Sequence, residues 1–430
     1  MALRFDRKRR MQMYIKRTIE GWIERNARSF PCVTIYGPRQ VGKSTTAEKL
    51  FGDRFRQVNL DNISDRSLAI QNPASFLDLY GWPLIIDEVQ KAPVLFDEIK
   101  ARIDQQRKTW DRNGQEPELM YVLTGSSRFE LTKLVSESLA GRTGFVEMGY
   151  LDQCEILGRS ENLFSNDIQT LLKRAIKANV PPRTRTQLFN DMKRGFMPDV
   201  VKGVSENEAY YPSYIDSYIE KDIKTIIKPE NEIRFRDFMK IMAFRTGQRI
   251  VYKDIGNLLG MDANTIKSWI SVLVSSGMAI LLQPFMCNVN RRIIKAPKFY
   301  FLDTGLAASL CGWPSGAMME SGAMSGAFFE TYCVAEIVKN LRNFGKRIED
   351  CLFYYRDIDQ KEIDLLYVEE GKIFPMEIKK SSRPNRPTKN WDVLDKYGLP
   401  ILPGLVIDTT DVIRPINDVA YAFPAHWIGI

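Results

Sequence analysis

Apolar and polar positions along the 430-residue chain change rhythm twice. In the first third, short apolar, β-branched runs such as Cys32-Val-Thr-Ile-Tyr36, Leu84-Ile-Ile86 and Met120-Tyr-Val-Leu123 are separated by longer stretches with helical spacing. That alternation predicts an α/β layout with a parallel sheet over residues 1–155. A basic helix is expected from about Met11 to Arg28, and a second strand at Arg56-Gln-Val-Asn-Leu-Asp61.

Residues 156–230 read as a basic helical linker. Within it Tyr214, Ile215, Tyr218, Ile219 and Ile223 fall at helical spacing, a stripe better suited to a core than to stacking nucleic-acid bases. Over 231–298 the pattern predicts helices from Phe235 to Thr246 and from Val251 to Leu259. The turn Gly260-Met-Asp-Ala-Asn264 follows, then a third helix capped by Asn264, and two strands around 278–283 and 298–302. This order suggests a winged helix. Thr265, Lys267 and Ser268 would face DNA and Arg291 and Arg292 its phosphates, unless the module serves only to pack domains together. Residues 299–430 return to α/β character, with an amphipathic helix from Gly326 to Asn340 and strands near 352–356, 362–368 and 372–379.

Composition narrows the picture. A hydrophobic content of 44% and charged content of 27% suit a folded protein, and no apolar run approaches membrane-spanning length, so no membrane partner is expected. The basic N-terminus is not followed by the apolar segment of a secretion signal. Six cysteines are scattered without a C-x-x-C pair, which fits reduced thiols in a cytoplasm. A single histidine, His426, leaves no two-histidine metal site within the chain. The net charge of +8 makes nucleic acid a candidate partner, although such an excess also serves as solvated surface.

Chemistry concentrates first at Gly37-Pro38-Arg39-Gln40-Val41-Gly42-Lys43-Ser44-Thr45, a G-x-x-x-x-G-K-[ST] stretch between a strand and a helix. Backbone N–H groups and a helix N-terminus there would cradle the phosphates of ATP, Lys43 would reach their oxygens, and Ser44 would hold Mg²⁺. A Gly-rich turn that merely packs a helix on a strand is the plain alternative. The strand at 84–86 delivers Asp87, a second Mg²⁺ ligand, and Glu88, a base for the attacking water. Thr124 or Ser126 would sense the γ-phosphate, or simply form a polar turn. Arg142 is a candidate arginine finger, within the chain or from a neighbouring copy in a homo-oligomer, or a surface arginine at a turn.

Gly-Pro-Arg-Gln-Val-Gly-Lys-Ser, Leu-Ile-Ile-Asp-Glu-Val-Gln-Lys-Ala-Pro, Leu-Thr-Gly-Ser-Ser and Ser-Leu-Ala-Gly-Arg occur in that order. Together they resemble bacterial and archaeal AAA-type ATPases of the AAA_14 kind that end in a DUF4143-type domain. The resemblance implies a P-loop core of the AAA superfamily, then a winged helix, then a restriction-endonuclease-like module.

The last module invites a register argument. A two-residue turn at Glu370-Gly371 pairs Glu369 with Lys372 and, stepping back along both strands, Asp364 with Glu377. Period-two alternation puts Lys379 on the same face. Opposed carboxylates call for a cation between them: a divalent metal with Glu330 as a further ligand, or the lysines and Arg356 as ion pairs. Glu330…Asp364…Glu377-Ile-Lys379 resembles the PD-(D/E)XK nuclease signature, although Ile363 stands where that pattern has proline. The resemblance implies Mg²⁺ on the three acids and a water-activating Lys379. Two functions follow: an ATPase that binds DNA and carries a Mg²⁺-dependent nuclease-like domain, or a nucleotide-dependent switch whose last domain only binds.

Overall fold

Cys32–Tyr36 (β1) is buried along its whole length, which requires partners on both edges and cover on both faces. A computed structural model describes residues 14–126, 131, 134–135, 137–223, 227, 229–286 and 296–430. It places β1 in a five-stranded parallel sheet with β2 (Arg56–Asn59), β3 (Leu84–Asp87), β4 (Tyr121–Gly125) and β5 (Thr143–Glu147), in the order β2-β3-β4-β1-β5. All four pairings are parallel, so the carboxyl ends of the strands share one edge. The sheet carries helices α1 (Glu20–Ser29), α2 (Lys43–Phe51) and α3 (Leu95–Asn113). β5 escapes the sequence pattern because only Gly144 and Val146 of Thr143–Glu147 are buried, as an edge strand allows.

The expected first helix is shorter than its periodicity suggests. It begins at Glu20, and residues 14–17 run outside any helix, with the Arg17 side chain drawn into the interior. After β5 comes a single helical turn, α4 (Gln153–Ile156), closed by a capping box between Asp152 and Glu155. Further helices follow, among them α5 (Asn207–Tyr218). Tyr214, Tyr218, Ile219 and Ile223 are buried, which fits a core stripe.

Residues 232–301 adopt the order α6 (Glu232–Phe244), β6 (Gln248–Arg249), α7 (Tyr252–Leu259), α8 (Ala263–Ser275), β7 (Ala279–Leu282) and β8 (Lys298–Phe301), with the antiparallel sheet β6-β8-β7. The cap of α8 differs from expectation. Asp262 caps the helix, accepting from the amides of Asn264 and Thr265, both at 2.9 Å, and Asn264 lies within the first turn. A carboxylate combines cap geometry with a favourable charge at a helix N-terminus. Arg291 and Arg292 lie outside the described residues.

The C-terminal sheet has six strands in the order β13-β14-β12-β11-β10-β9. They are β9 (Leu352–Arg356), β10 (Glu362–Glu369), β11 (Lys372–Ile378), β12 (Gly404–Asp408), β13 (Arg414–Asn417) and β14 (Ala420–Pro424), with α9 (Ser325–Asn343) packed against the sheet. The β10–β11 register runs from Glu369↔Lys372 to Leu365↔Met376, and one more step brings Asp364 beside Glu377. The β9–β10 register shifts between Ile363 and Leu366, so Asp364 sits in an irregular stretch.

Backbone pairing links the segments on either side of residue 298. The Phe285 N–H donates to the Tyr354 carbonyl at 2.7 Å, and the Tyr354 N–H to that of Gln283 at 3.1 Å, a parallel bridge joining the β7 segment to β9. One apolar cluster runs continuously from Ile19 through Phe235 and Phe301 to Ile428.

Candidate functional site

The loop after β1 takes its shape from backbone geometry that few residues tolerate. Gly37 has φ 148° and its Cα abuts the Met148 carbonyl, where a Cβ would collide with the oxygen. Gly42 at φ 95° turns the chain into α2. Between them, Gln40 at φ 61° is held by the Tyr210 hydroxyl, which donates to its Oε1 at 2.7 Å. Lys43 folds back over the loop and donates to the carbonyls of Gly37 (3.0 Å) and Pro38 (2.7 Å). Thr45 and Ser44 are exposed at the start of α2. Gly277, at the head of β7, comes so close to Pro38 that a Cβ would lie 2.9 Å from its Cδ. A cleft of ≈ 340 Å³ opens here, lined among others by Tyr14, Arg39, Lys43, Ser44, Glu88 and Lys202.

The carboxyl edge of the sheet gathers four other expected residues, Asp87, Glu88, Thr124 and Ser126, beside this loop. Ser44 donates to Asp87 Oδ1 at 2.9 Å, and the Thr124 hydroxyl donates to the same oxygen. Glu88, at φ 55°, accepts from the Gln90 side chain and from Ser126 Oγ at 3.3 Å. Strained backbone at an acidic residue beside a cleft is the geometry expected where function fixes a side chain. Thr124 therefore bonds the expected metal ligand Asp87, and Ser126 bonds Glu88.

Arg142 stands away from this loop within its own chain. It immediately precedes β5, at the amino edge of the sheet, whereas the Gly-rich loop leaves the carboxyl edge. Asp104 on α3 holds it through two bonds, Nε–Oδ1 at 2.7 Å and Nη2–Oδ2 at 2.8 Å. Arg142 thus does not reach the phosphate loop of its own chain, and that bidentate pair accounts for it.

The acids of the C-terminal module are neutralised from within the chain. Lys379 Nζ lies 2.8 Å from both Asp364 Oδ2 and Glu377 Oε2, and the Ile378 N–H donates to Asp364 at 2.8 Å. Glu330 is held separately, by Lys298 Nζ at 2.9 Å and the Tyr300 hydroxyl at 2.6 Å, while Lys298 also pairs with Glu362 at 2.6 Å. Burial, then the Asp364 charge, pushes Glu377 well above the usual carboxylate range. Asp364 is held below that range because Lys379 and Lys298 outweigh its burial. Among the described residues no three His, Cys, Asp or Glu side chains converge as metal ligands. Within the chain the cations beside the expected metal ligands Glu330, Asp364 and Glu377 are the ammonium groups of Lys298 and Lys379. The Ser44–Asp87 pair suits Mg²⁺, as a hydroxyl and a carboxylate on the open edge of the sheet.

Three further participants lie outside the motifs. Asn59, at the end of β2, donates to Asp87 Oδ2 at 3.1 Å. Arg17 donates to the Val41 carbonyl within the loop at 2.8 Å. Lys298, a strand residue by its pattern, supplies the counter-ion of Glu330. A polar residue at the carboxyl end of a strand is a usable signal for Asn59; no local signal marks the other two.

A parallel sheet with order β2-β3-β4-β1-β5, a glycine-shaped loop between β1 and α2, and a hydroxyl–carboxylate pair at its edge define a P-loop ATPase-type domain. Residues 29–157 match the family model described as AAA domain. Residues 185–317 and 325–428 match two domains of unknown function, DUF8612 and DUF4143. Similar chains are the uncharacterized proteins Mb2031c of Mycobacterium bovis and Rv2008c of Mycobacterium tuberculosis, each 23% identical over 407 residues, 93% of this chain and 81% of theirs. Among solved structures, the Walker-type ATPase PABY2304 of Pyrococcus abyssi aligns with a TM-score of 0.41 and 13% identity, over 68% of this chain and 94% of that one. The Aeropyrum pernix ORC2 protein aligns with a TM-score of 0.32 and 12% identity, over 68% and 89%. No helix among the described residues is long and apolar enough to cross a membrane.

Proposed function

We propose that this protein hydrolyses ATP with Mg²⁺ and binds DNA through residues 231–298, read as a winged helix. The observation that carries the ATPase assignment is the Ser44–Asp87 contact across the sheet edge, beside a loop that leaves no room for a side chain at Gly37. Mg²⁺ held by Ser44 and Asp87 would neutralise phosphate charge. Lys43, released from the carbonyls of Gly37 and Pro38, places its ammonium on the phosphate oxygens. Glu88, oriented by Gln90 and Ser126, takes the proton of the attacking water. A homo-oligomer is compatible with a finger supplied by a neighbouring copy.

The DNA assignment is supported by the exposed polar face of α8, which carries Asn264, Lys267, Ser268 and Ser271 opposite buried Ile266, Ile270 and Leu273. Thr265 instead spends its hydroxyl on the Asp262 cap. For the C-terminal module, the lysine-neutralised acids favour the second function: a domain that grips nucleic acid or a protein partner without cutting.

The test is ATP turnover by the purified chain with and without DNA, and the integrity of linear, nicked and single-stranded DNA with Mg²⁺ or Mn²⁺. Phosphate release with intact DNA is the expected result. Absence of turnover would sink the ATPase assignment, and cleavage abolished by Asp364→Ala would restore a nuclease.

A further inference from the structure

Arg17 lies outside the Gly-rich loop and before the first helix, yet its side chain is only 3% exposed. Its guanidinium is bonded on every branch. Nη1 donates to the Val41 carbonyl at 2.8 Å, Nη2 to the carbonyls of Gly149 (2.8 Å) and Tyr150 (3.1 Å), and Nε to Glu155 Oε2 at 3.0 Å. Glu155 is fixed in turn. Its Oε1 accepts from the Thr18 N–H at 2.8 Å, and its Oε2 from the Asp152 N–H at 3.1 Å as part of the capping box.

We propose that Arg17 is a positioning residue for the nucleotide site, holding the Val41–Gly42 peptide in the orientation that phosphate binding uses. The proposal rests on the nucleotide assignment of the loop. Val41 lies between two residues in the left-handed region, Gln40 at φ 61° and Gly42 at φ 95°. Such backbone persists only where its surroundings over-determine it. The guanidinium is a planar fork, so three bonds to Glu155, Gly149 and Tyr150 set the direction of the fourth. The peptide unit is planar and trans, so fixing the Val41 carbonyl also fixes the Gly42 N–H on its opposite side. A donor in a phosphate cradle is thereby aimed before the ligand arrives, and preorganisation of that kind appears as affinity.

The same arrangement ties the loop to a helix far along the chain. The Gln153 N–H donates to Glu336 Oε2 at 2.9 Å, and Asn343 Nδ2 donates to Asp152 Oδ2 at 2.9 Å. Glu336 and Asn343 both lie on α9. Arg17 thus anchors the loop to the one helical turn, α4, that α9 also grips.

The test uses the full chain, a fluorescent ATP analogue and steady-state phosphate release. Arg17→Lys keeps a cation for Glu155 but has one nitrogen for four acceptors. Arg17→Met with Glu155→Gln removes both buried charges together, so folding is not compromised by an orphaned carboxylate. Both variants are expected to bind the analogue about tenfold more weakly and to show a KM for ATP raised in proportion, with kcat within about twofold of the parent. Circular dichroism without nucleotide should match the parent. A parent that binds analogue, with variants binding equally well, overturns the role of Arg17 alone. A parent that binds no analogue overturns the nucleotide assignment and this role with it. Loss of folded structure in both variants makes Arg17 a structural residue only, which also overturns the proposal.

Discussion

Ser44 on α2 and Asp87 at the end of β3 meet across the carboxyl edge of the sheet, the hydroxyl donating to Oδ1 at 2.9 Å. Both groups would act on the same Mg²⁺, so each should fail separately when replaced. Ser44→Ala and Asp87→Ala are expected to lower Mg²⁺-dependent ATP turnover about a hundredfold, the scale for loss of one preorganised electrostatic group. Phosphate release across a Mg²⁺ titration checks this, and turnover within a few fold of the parent would remove Asp87 from the site.

Glu88 is positioned by Gln90 and Ser126 rather than by the loop itself. Glu88→Gln should therefore abolish turnover and leave affinity for an ATP analogue intact. Single-turnover phosphate release and equilibrium binding on the same preparation separate the two effects. Retained turnover would end its assignment as the base.

Lys379 stands between Asp364 and Glu377 at 2.8 Å from each. Lys379→Met leaves both buried carboxylates without it, at a cost of about 1–3 kcal/mol. Glu377 sits above the usual range, so its protonated form favours the folded state below that range and the benefit is lost as pH rises. The destabilisation is expected to be larger at pH 8 than at pH 5, read from urea midpoints. An equal loss at both would show that the acids do not respond to the lysine.

Glu155 is pushed up to about 7 by burial, against the opposing pull of Arg17. A carboxyl raised in the folded state binds more protons there than in the unfolded chain. Its contribution is full below the unfolded value near 4.5 and is lost as pH rises through about 7. Glu155→Gln should flatten the decline in urea midpoint between pH 5 and 8. An unchanged slope would place the titration elsewhere in the buried group of Asp152, Glu161 and Glu336.

Lys267 projects from the open face of α8. Lys267→Glu is expected to weaken binding to a fluorescent DNA duplex. The salt dependence should become shallower by about one unit of log–log slope for each phosphate the side chain no longer neutralises. An unchanged isotherm would favour a module that only packs between its neighbours.

Local pattern makes much of this molecule legible. β1, β3 and β4 are visible because buried parallel strands read as unbroken apolar runs, and the glycines of the loop because spacing carries their backbone demand. The β10–β11 register follows from the two-residue turn at Glu370-Gly371, which pairs Glu369 with Lys372 and carries that pairing back along both strands. Other features are hidden for definite reasons. β5 alternates as an edge strand does, and β6 has two residues, below what periodicity can detect. Arg142 and Asp104 lie on different elements, so the pairing that holds Arg142 away from the loop of its own chain is invisible in the local sequence. The same holds for Lys298, whose partners Glu330 and Glu362 come from a helix and a strand of the next module.

Lys298 and the Pro284–Tyr354 bridge bear on which part of this chain can be transplanted. A fragment starting at 299 would leave behind the ammonium group that Glu330 and Glu362 share, and would expose the backbone of β9 that the β7 segment covers. A fragment meant to keep these contacts, in a chimera between relatives, therefore has to include the β7–β8 hairpin.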